Sequence, residues 1–182
     1  KCSVAKMNDE AELHYTQAIE QYPDSADAYG RRGWHYYIVS QDDKAEKDLR
    51  KAMELDDEKP VYPARLGSLY AACGRPEEGV ELLDHAIEEH PYSPDLFYAR
   101  ALCNKALERG EQAREDFRTA AMLGHRNALD DRRRAYGDEF AIDFFSSGIE
   151  MGSQNNLQGA VEQFRKAAEM FDGSIKVNGD RA

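Results

Sequence analysis

Cysteine and long apolar runs are scarce in this chain, and each shortage argues against a class of protein. The three cysteines show no paired spacing, which argues against a disulfide framework or a cysteine-based metal site. Cys73 and Cys103 are expected to face the core as small hydrophobic residues, whereas Cys2 could carry a lipid anchor in a mature secreted protein. No apolar run reaches the roughly 18 residues of a spanning helix, so we predict no membrane span.

Basic residues are in the minority. The chain has 24 Lys and Arg against 35 Asp and Glu, a formal charge of −11. This balance disfavours nonspecific attraction to nucleic acids and anionic membranes, so we predict no nucleic-acid partner. No secretory leader is visible. We therefore expect a cytoplasmic location, or an extracytoplasmic one if a leader has been removed.

The motifs that carry catalysis are missing as well. The sequence has no Gly-rich phosphate loop, no His-Glu-x-x-His and no paired-cysteine site. His85 and His90 are five residues apart and so cannot share one face of a helix. Acidic pairs such as Asp42-Asp43 fall in predicted turns or at helix ends, whereas a general acid or base needs a desolvated cleft. We predict no enzymatic activity, no metal and no cofactor.

The chain does contain a 34-residue period. Three sets of equivalent positions, which we call columns, recur at that interval. They are Ala18, Ala52, Ala86 and Ala120; Ala11, Ala45, Gly79 and Ala113; and Tyr15, Leu49, Leu83 and Phe117. Each unit holds two patterns with apolar residues three, four and seven apart, which is the spacing of a helical stripe. One such hairpin cannot bury its stripe alone, so it has to stack on copies of itself.

The columns resemble the tetratricopeptide repeat. The third copy matches the family pattern at Leu66, Gly67, Tyr70, Leu83, Ala86 and Pro91. The resemblance implies an all-α fold, a right-handed α-α superhelix of stacked antiparallel helix pairs. The sequence departs from the pattern at Arg32 and Arg100, where the family has Leu, and at Gly79, where it has Ala. A glycine inside a helix is expected to weaken its repeat by about 1 kcal/mol relative to Ala.

We predict a single solenoid over residues 1–182. It is divided into a half repeat 9–25, repeats 26–59, 60–93 and 94–127, an insertion 128–140, a repeat 141–174 and a tail 175–182. Helices are predicted at about residues 9–22, 26–39, 43–56, 61–73, 77–90, 94–109, 111–123, 138–153 and 157–171. Residues 1–8 are too few for a complete first helix, so the helix from residue 9 either has lost its partner or caps the stack. Ala52 and Ala86 are expected to be buried where hairpins meet.

The resemblance also implies a binding surface, because the family lines its concave groove with residues of each first helix. Carried over by position, the candidates are Arg31, Trp34, Tyr37, Arg65, Ser68, Tyr98, Leu102, Lys105, Phe145 and Ile149. Trp, Tyr and Arg dominate binding energy at interfaces, although Trp34 and Tyr37 could instead pack on neighbouring helices. Arg31 and Arg65 are expected to lie close together, with Asp27 and Asp95 as alternative partners. We expect an extended or helical ligand that bears acidic and large apolar residues.

One specialised groove is excluded. The Lys/Asn pair with which one subfamily captures chaperone C-termini is missing, since Gly30 and Trp34 hold its places. We therefore predict a non-enzymatic scaffold that binds a peptide or a partner protein. The alternatives are a homo-oligomeric assembly protein and an accessory domain of a larger enzyme. The run Arg132-Arg133-Arg134 is interpreted as a solvated, locally paired face rather than a nucleic-acid site, given the acidic residues beside it.

Overall fold

The computed structural model describes residues 2–128, 131, 148–149, 151–152 and 156–166, with side chains from residue 8 onward. They belong to two compact units, Lys1–Ala128 and Leu129–Ala182. Within the described ranges the regular structure is helical and contains no strand, so the prediction of an all-α fold is confirmed. The prediction of one solenoid over the whole chain, with its insertion and tail, stays a prediction.

The first unit is a stack of helical hairpins. Its helices are α1 (Cys2–Gln21), α2 (Ala26–Ile38), α3 (Asp42–Leu55), α4 (Val61–Ala72), α5 (Pro76–Glu89), α6 (Pro94–Ala106) and α7 (Gly110–Met122). The pairs α2/α3, α4/α5 and α6/α7 form the hairpins, while α4 also packs on α3 and α6 packs on α4 and α5. The bounds of α2 to α7 agree with the predicted ones to within about three residues.

The start of α1 was predicted wrongly. The helix begins at Cys2, well before the predicted residue 9, and it packs on α2. Residues 2–8 contain neither Pro nor Gly, and they include Ala, Lys and Met, which are good helix formers. Nothing in this stretch therefore stops the helix from extending towards the N-terminus.

The repeated columns form the core of the stack. Ala45, Leu49 and Ala52 of α3 are fully buried, and so are the corresponding side chains of α7. Ala52 and Ala86 are 0% and 6% exposed, which confirms their predicted burial. Within the first hairpin, a Cβ added to Gly33 would lie 2.9 Å from Leu49 Cγ. A residue without a side chain is therefore what lets the two helices approach so closely.

The turn inside each hairpin carries one residue in the left-handed region. These residues are Ser40 (φ 58°), Gly74 (φ 76°) and Glu108 (φ 57°), which are spaced 34 residues apart. Only Gly adopts this conformation without a steric penalty. The first and third hairpins therefore contain a strained turn that the second avoids.

Two ion pairs replace a leucine contact in alternate repeats. Arg32 binds Asp48 through Nε and Nη2 at 2.6 and 3.0 Å, and Arg100 binds Asp116 in the same way at 3.0 and 2.6 Å. Both aspartates are buried. The repeat between them has Leu66 and Leu82 at the corresponding positions. The two arginines that depart from the family pattern are thus each matched by a second change on the facing helix.

Gly79 has a packing role that its sequence position did not reveal. A Cβ at this position would lie 2.5 Å from Cys103 Sγ, 3.3 Å from Tyr70 Cβ and 3.4 Å from the carbonyl oxygen of Gly67. Cys103 is fully buried, as predicted, and its thiol donates to the carbonyl oxygen of Gly67 at 3.4 Å. The packing therefore argues against the expectation that Ala would suit this position better than Gly, because the thiol of the next repeat fills the space.

The second unit repeats one contact of the first. Gly148 is helical, and a Cβ added to it would lie 2.7 Å from the ring of Phe164, on the helical stretch 157–166. The two residues are sixteen apart, as are Gly33 and Leu49 in the first unit. Between the two stretches, the N–H of Asn156 donates to the carbonyl oxygen of Met151 at 2.9 Å. The sixteen-residue spacing of Gly148 and Phe164 is that of the first unit, while the bounds of repeat 141–174 stay a prediction.

Candidate functional site

A cavity of about 490 Å³ lies along the first helices of the three hairpins. It is lined by α2, α4, α6 and the segment that follows α7. Six of its lining residues are predicted site residues: Trp34, Tyr37, Arg65, Ser68, Tyr98 and Leu102. Three successive repeats therefore contribute to one surface, which we call the groove.

Aromatic residues of α2 form one wall of the groove. The Trp34 and Tyr37 rings are 4.8 Å apart between centroids and inclined at 36°. Both side chains are half-buried, and burial raises the pKa of Tyr37. The two rings pack on each other within α2 and line the cavity, and Tyr37 also packs against the core cluster that includes Leu69 and Tyr70 of α4.

The opposite wall is built from α6 and the segment after α7. Tyr98 stacks on His125 with centroids 3.9 Å apart and an angle of 16°, and its ring meets the edge of Phe117 at 5.8 Å. His125 Nδ1 accepts the N–H of Ala128 at 3.2 Å, while its Nε2 lies 3.4 Å from Asp95 Oδ1. Each side of the Tyr98 ring system is therefore held by a neighbour, which gives this wall a fixed orientation.

Arg65 lies on α4 between the two walls. Its Nη1 donates to the carbonyl oxygen of Gly30 at 3.0 Å, and its Cζ lies 5.4 Å from the centroid of the Trp34 ring. Burial, followed by repulsion from Arg31, lowers its pKa. No carboxylate in the described part of the chain lies within 4 Å of it, although Asp95 acts on it at longer range. The guanidinium is thus half-buried without a directly paired negative charge.

Arg31 contributes less to the groove than the sequence suggested. It is close enough to Arg65 to affect its pKa, but its Nε binds Asp27 Oδ2 at 2.8 Å and its side chain is 60% exposed. The suspected neutralisation by Asp27 is therefore present. The corresponding suspicion about Asp95 holds only in part, because its direct partner is His125.

The remaining predicted residues lie away from the cavity or outside the description. Lys105 is exposed and does not line the cavity. Ile149 belongs to the second unit, where it is 56% exposed. Phe145 lies outside the described residues. Of the ten candidates, six share the groove.

The sequence reasoning missed four residues that line the cavity, and it named a fifth, Asp95, only as a partner for the arginines. Val61, Ala64 and Asp95 occupy first-helix positions that the family also uses, so the repeat register could have identified them. His125 and Asn127 follow α7, where the repeat pattern specifies no groove position, and nothing in the sequence pointed to them.

The described residues lack two other kinds of site, a metal-binding cluster and a membrane-spanning helix. They contain no group of three or more His, Cys, Asp or Glu side chains able to hold a metal ion. Across the same ranges, no helix has the length and apolar character needed to cross a membrane. A second cavity of about 370 Å³ lies near α3 and α5, but its charged residues Arg50, Glu78 and Glu81 are all exposed.

Comparison with known proteins identifies the repeat. Residues 8–60 match the family model described as tetratricopeptide repeat. The crystal structure of MamA is similar at 18% identity and TM-score 0.58, covering 96% of this chain and 94% of that one. YrrB, a TPR protein with an unusual peptide-binding site, gives 18% identity and TM-score 0.52, covering 99% and 87%. The first TPR of Spaghetti (RPAP3), bound to an HSP90 peptide, gives 20% identity and TM-score 0.54, covering 60% and 89%.

No curated protein sequence matches this chain. The structural similarities, all below 25% identity, show the fold. The stacked hairpins and these similarities define a helical-repeat fold. Residues 8–60 carry the tetratricopeptide repeat that the sequence resembles, and the structural similarities confirm the solenoid fold class.

Proposed function

We propose that this protein is a non-enzymatic scaffold that binds a peptide, or a segment of a partner protein, in the groove. The observation that carries the proposal is that α2, α4 and α6 bring Trp34, Tyr37, Tyr98 and Leu102 into one cavity. Pockets that anchor partners combine aromatic and aliphatic walls with a few placed polar groups. Solved relatives of the same fold support the proposal by their titles, since YrrB has a peptide-binding site and Spaghetti (RPAP3) binds an HSP90 peptide.

The mode of binding is not that of the chaperone clamp. Gly30 and Trp34 stand at the clamp positions of the first complete repeat, and Gly30 is covered by the ring of Tyr62. A Lys at position 30 would therefore collide with α4. Among its described lining residues, the groove instead offers aromatic area with one arginine, Arg65.

The experiment starts with capture of partners from native lysate and their identification by mass spectrometry. Affinity for the principal partner is then compared between the wild type, Trp34→Ala and the control Tyr92→Ala. Tyr92 is 83% exposed and does not line the groove. We expect Trp34→Ala to weaken binding by about tenfold or more, as for an aromatic anchor, and Tyr92→Ala to leave it unchanged. Equal affinities with unchanged helicity would place the binding site elsewhere.

Exposed residues of α1 favour a second candidate, self-assembly. Ala11, Tyr15 and Ala18 belong to columns that are fully buried in α3, yet in α1 they are only half-buried. In this candidate a helix of a second copy covers that face. Light scattering over a concentration series, on the wild type and on Ala18→Glu, tests this. A mass that stays monomeric at all concentrations would exclude it.

A further inference from the structure

Arg65 is the arginine that stands apart among those pointing from first helices. Arg32 and Arg100 each bind a buried aspartate through two nitrogens, and Arg31 binds Asp27. Among the described residues, the one hydrogen-bond partner of Arg65 is the backbone carbonyl of Gly30, and its guanidinium lies over the Trp34 ring. A guanidinium has five N–H donors, so most of the donors of Arg65 remain available.

The position of Arg65 directs its free donors into the groove. It lies between the aromatic wall of α2 and the wall formed by Tyr98 and Leu102, and it lines the same cavity as both. Asp95 is the carboxylate that lines the same cavity, and its Oδ1 lies 3.4 Å from His125 Nε2. A carboxylate entering here would meet a cation that is partly removed from water, where such pairs are stronger than at the surface.

Resting on the proposed function, we propose that Arg65 pairs with a carboxylate of the bound segment while a neighbouring large apolar side chain packs between Trp34 and Leu102. The ligand class is thus a peptide in which an acidic residue stands next to a Phe or Leu. The charge comes from Arg65 alone, because Arg31 is already occupied by Asp27. This differs from the expectation that both arginines act together.

The net charge of the protein makes this selectivity testable. At −11, the chain repels acidic peptides in general, so a preference for Glu over Gln requires a local cation. Trp34 is the single tryptophan of the chain, so its emission reports on the groove directly. Charge-assisted hydrogen bonds are strong enough to predict a preference of about tenfold.

The experiment uses three pools of acetylated and amidated peptides that lack Trp. The first pool places Glu beside Phe or Leu, the second replaces Glu with Gln, and the third replaces Phe or Leu with Ala. Each is titrated against the wild type, Arg65→Gln, Arg65→Lys and the charge-matched control Arg31→Gln, with Trp34 emission as the readout and circular dichroism as the check on folding. Titrations are run at two salt concentrations.

We expect the wild type and Arg31→Gln to bind the first pool about tenfold more tightly than the second. Arg65→Gln should bind both equally and still prefer the first pool over the third, and Arg65→Lys should show a reduced preference. If Arg65→Gln does not fold, the preference of Arg65→Lys for the first pool over the second decides whether Arg65 supplies the charge. Equal binding of the Glu and Gln pools by the wild type, or loss of the preference in Arg31→Gln, overturns the assignment to Arg65 alone. If no pool changes Trp34 emission, both this inference and the proposed groove function are wrong.

Discussion

Replacing Gly79 with Ala tests whether packing or helix propensity governs this position. Propensity alone predicts that Ala stabilises the helix by about 1 kcal/mol. The structure predicts the opposite, because the new Cβ would lie 2.5 Å from Cys103 Sγ and inside normal contact distance of Tyr70 Cβ. Overpacking a well-filled core costs about 1–3 kcal/mol. We therefore expect Gly79→Ala to lower the free energy of unfolding by about 1 kcal/mol, the net of the two effects.

A double-mutant cycle with Cys103→Ala separates the two effects. Removing the thiol opens the space that the Ala methyl group needs, so in that background Gly79→Ala should stabilise the protein by about 1 kcal/mol. The assay is urea unfolding followed by circular dichroism. Ala45→Gly is the matched control at the same column of the first complete repeat, and it should destabilise by about 1 kcal/mol or more. Stabilisation by Gly79→Ala in the wild-type background would refute the packing argument.

Four further changes test the fold. Ala52→Leu should overpack a fully buried position and lower stability by about 1–3 kcal/mol in a urea melt. Asp48→Leu alone leaves the Arg32 guanidinium without its carboxylate and should lower the free energy of unfolding by about 3–5 kcal/mol. Arg32→Leu together with Asp48→Leu should be nearly neutral, because the neighbouring repeat has Leu at both positions. Ser40→Gly replaces a side chain held at positive φ, so it should raise the free energy of unfolding by up to about 1 kcal/mol. The melting temperature should rise with it. Although burial raises the pKa of Glu46, hydrogen bonds from two arginines and a tyrosine lower it to about 2, from the usual 4.5. The stabilisation that the Glu46 carboxylate gives the fold is then present above about pH 4.5 and is lost as the pH falls towards 2. Glu46→Gln should therefore make the free energy of unfolding less dependent on pH in that window.

The fold was predictable because its repeat fixes local and long-range contacts together. The 34-residue columns placed Ala52, Ala86 and Phe117 at buried positions, and the structure buries all three. Once the period is recognised, each hairpin has to stack on the next to cover its stripe. The beginning of α1 was missed because the pattern defines where a repeat starts, whereas a helix extends as far as its residues allow.

The groove was predictable in part, for a similar reason. First-helix positions share one face, so Trp34, Arg65 and Tyr98 could be brought together from the register alone. The pairing of Arg31 with Asp27 follows the i, i+4 spacing and was suspected. The contribution of His125 could not be predicted, since it depends on how the segment after α7 returns to Tyr98.

Contacts between neighbouring repeats were the least visible in the sequence. Gly79 departs from the family pattern, and only its packing against Cys103 of the next repeat shows why a residue without a side chain suits this position. The same holds for Arg32 and Asp48, which replace two leucines as a unit. A comparison with the family pattern at one position at a time counts each change as a separate loss of stability. The structure shows that the two members of each pair compensate for each other.

Site-specific photo-crosslinking tests the groove as the binding surface most directly. A diazirine analogue of leucine replaces Leu102, which lines the groove, or Leu13, which is 54% exposed on α1. Both substitutions keep the size and character of the side chain, so neither should block binding. We predict adducts with the captured partner from position 102 and none from position 13. Adducts from position 13, with none from position 102, would contradict the assignment of the groove.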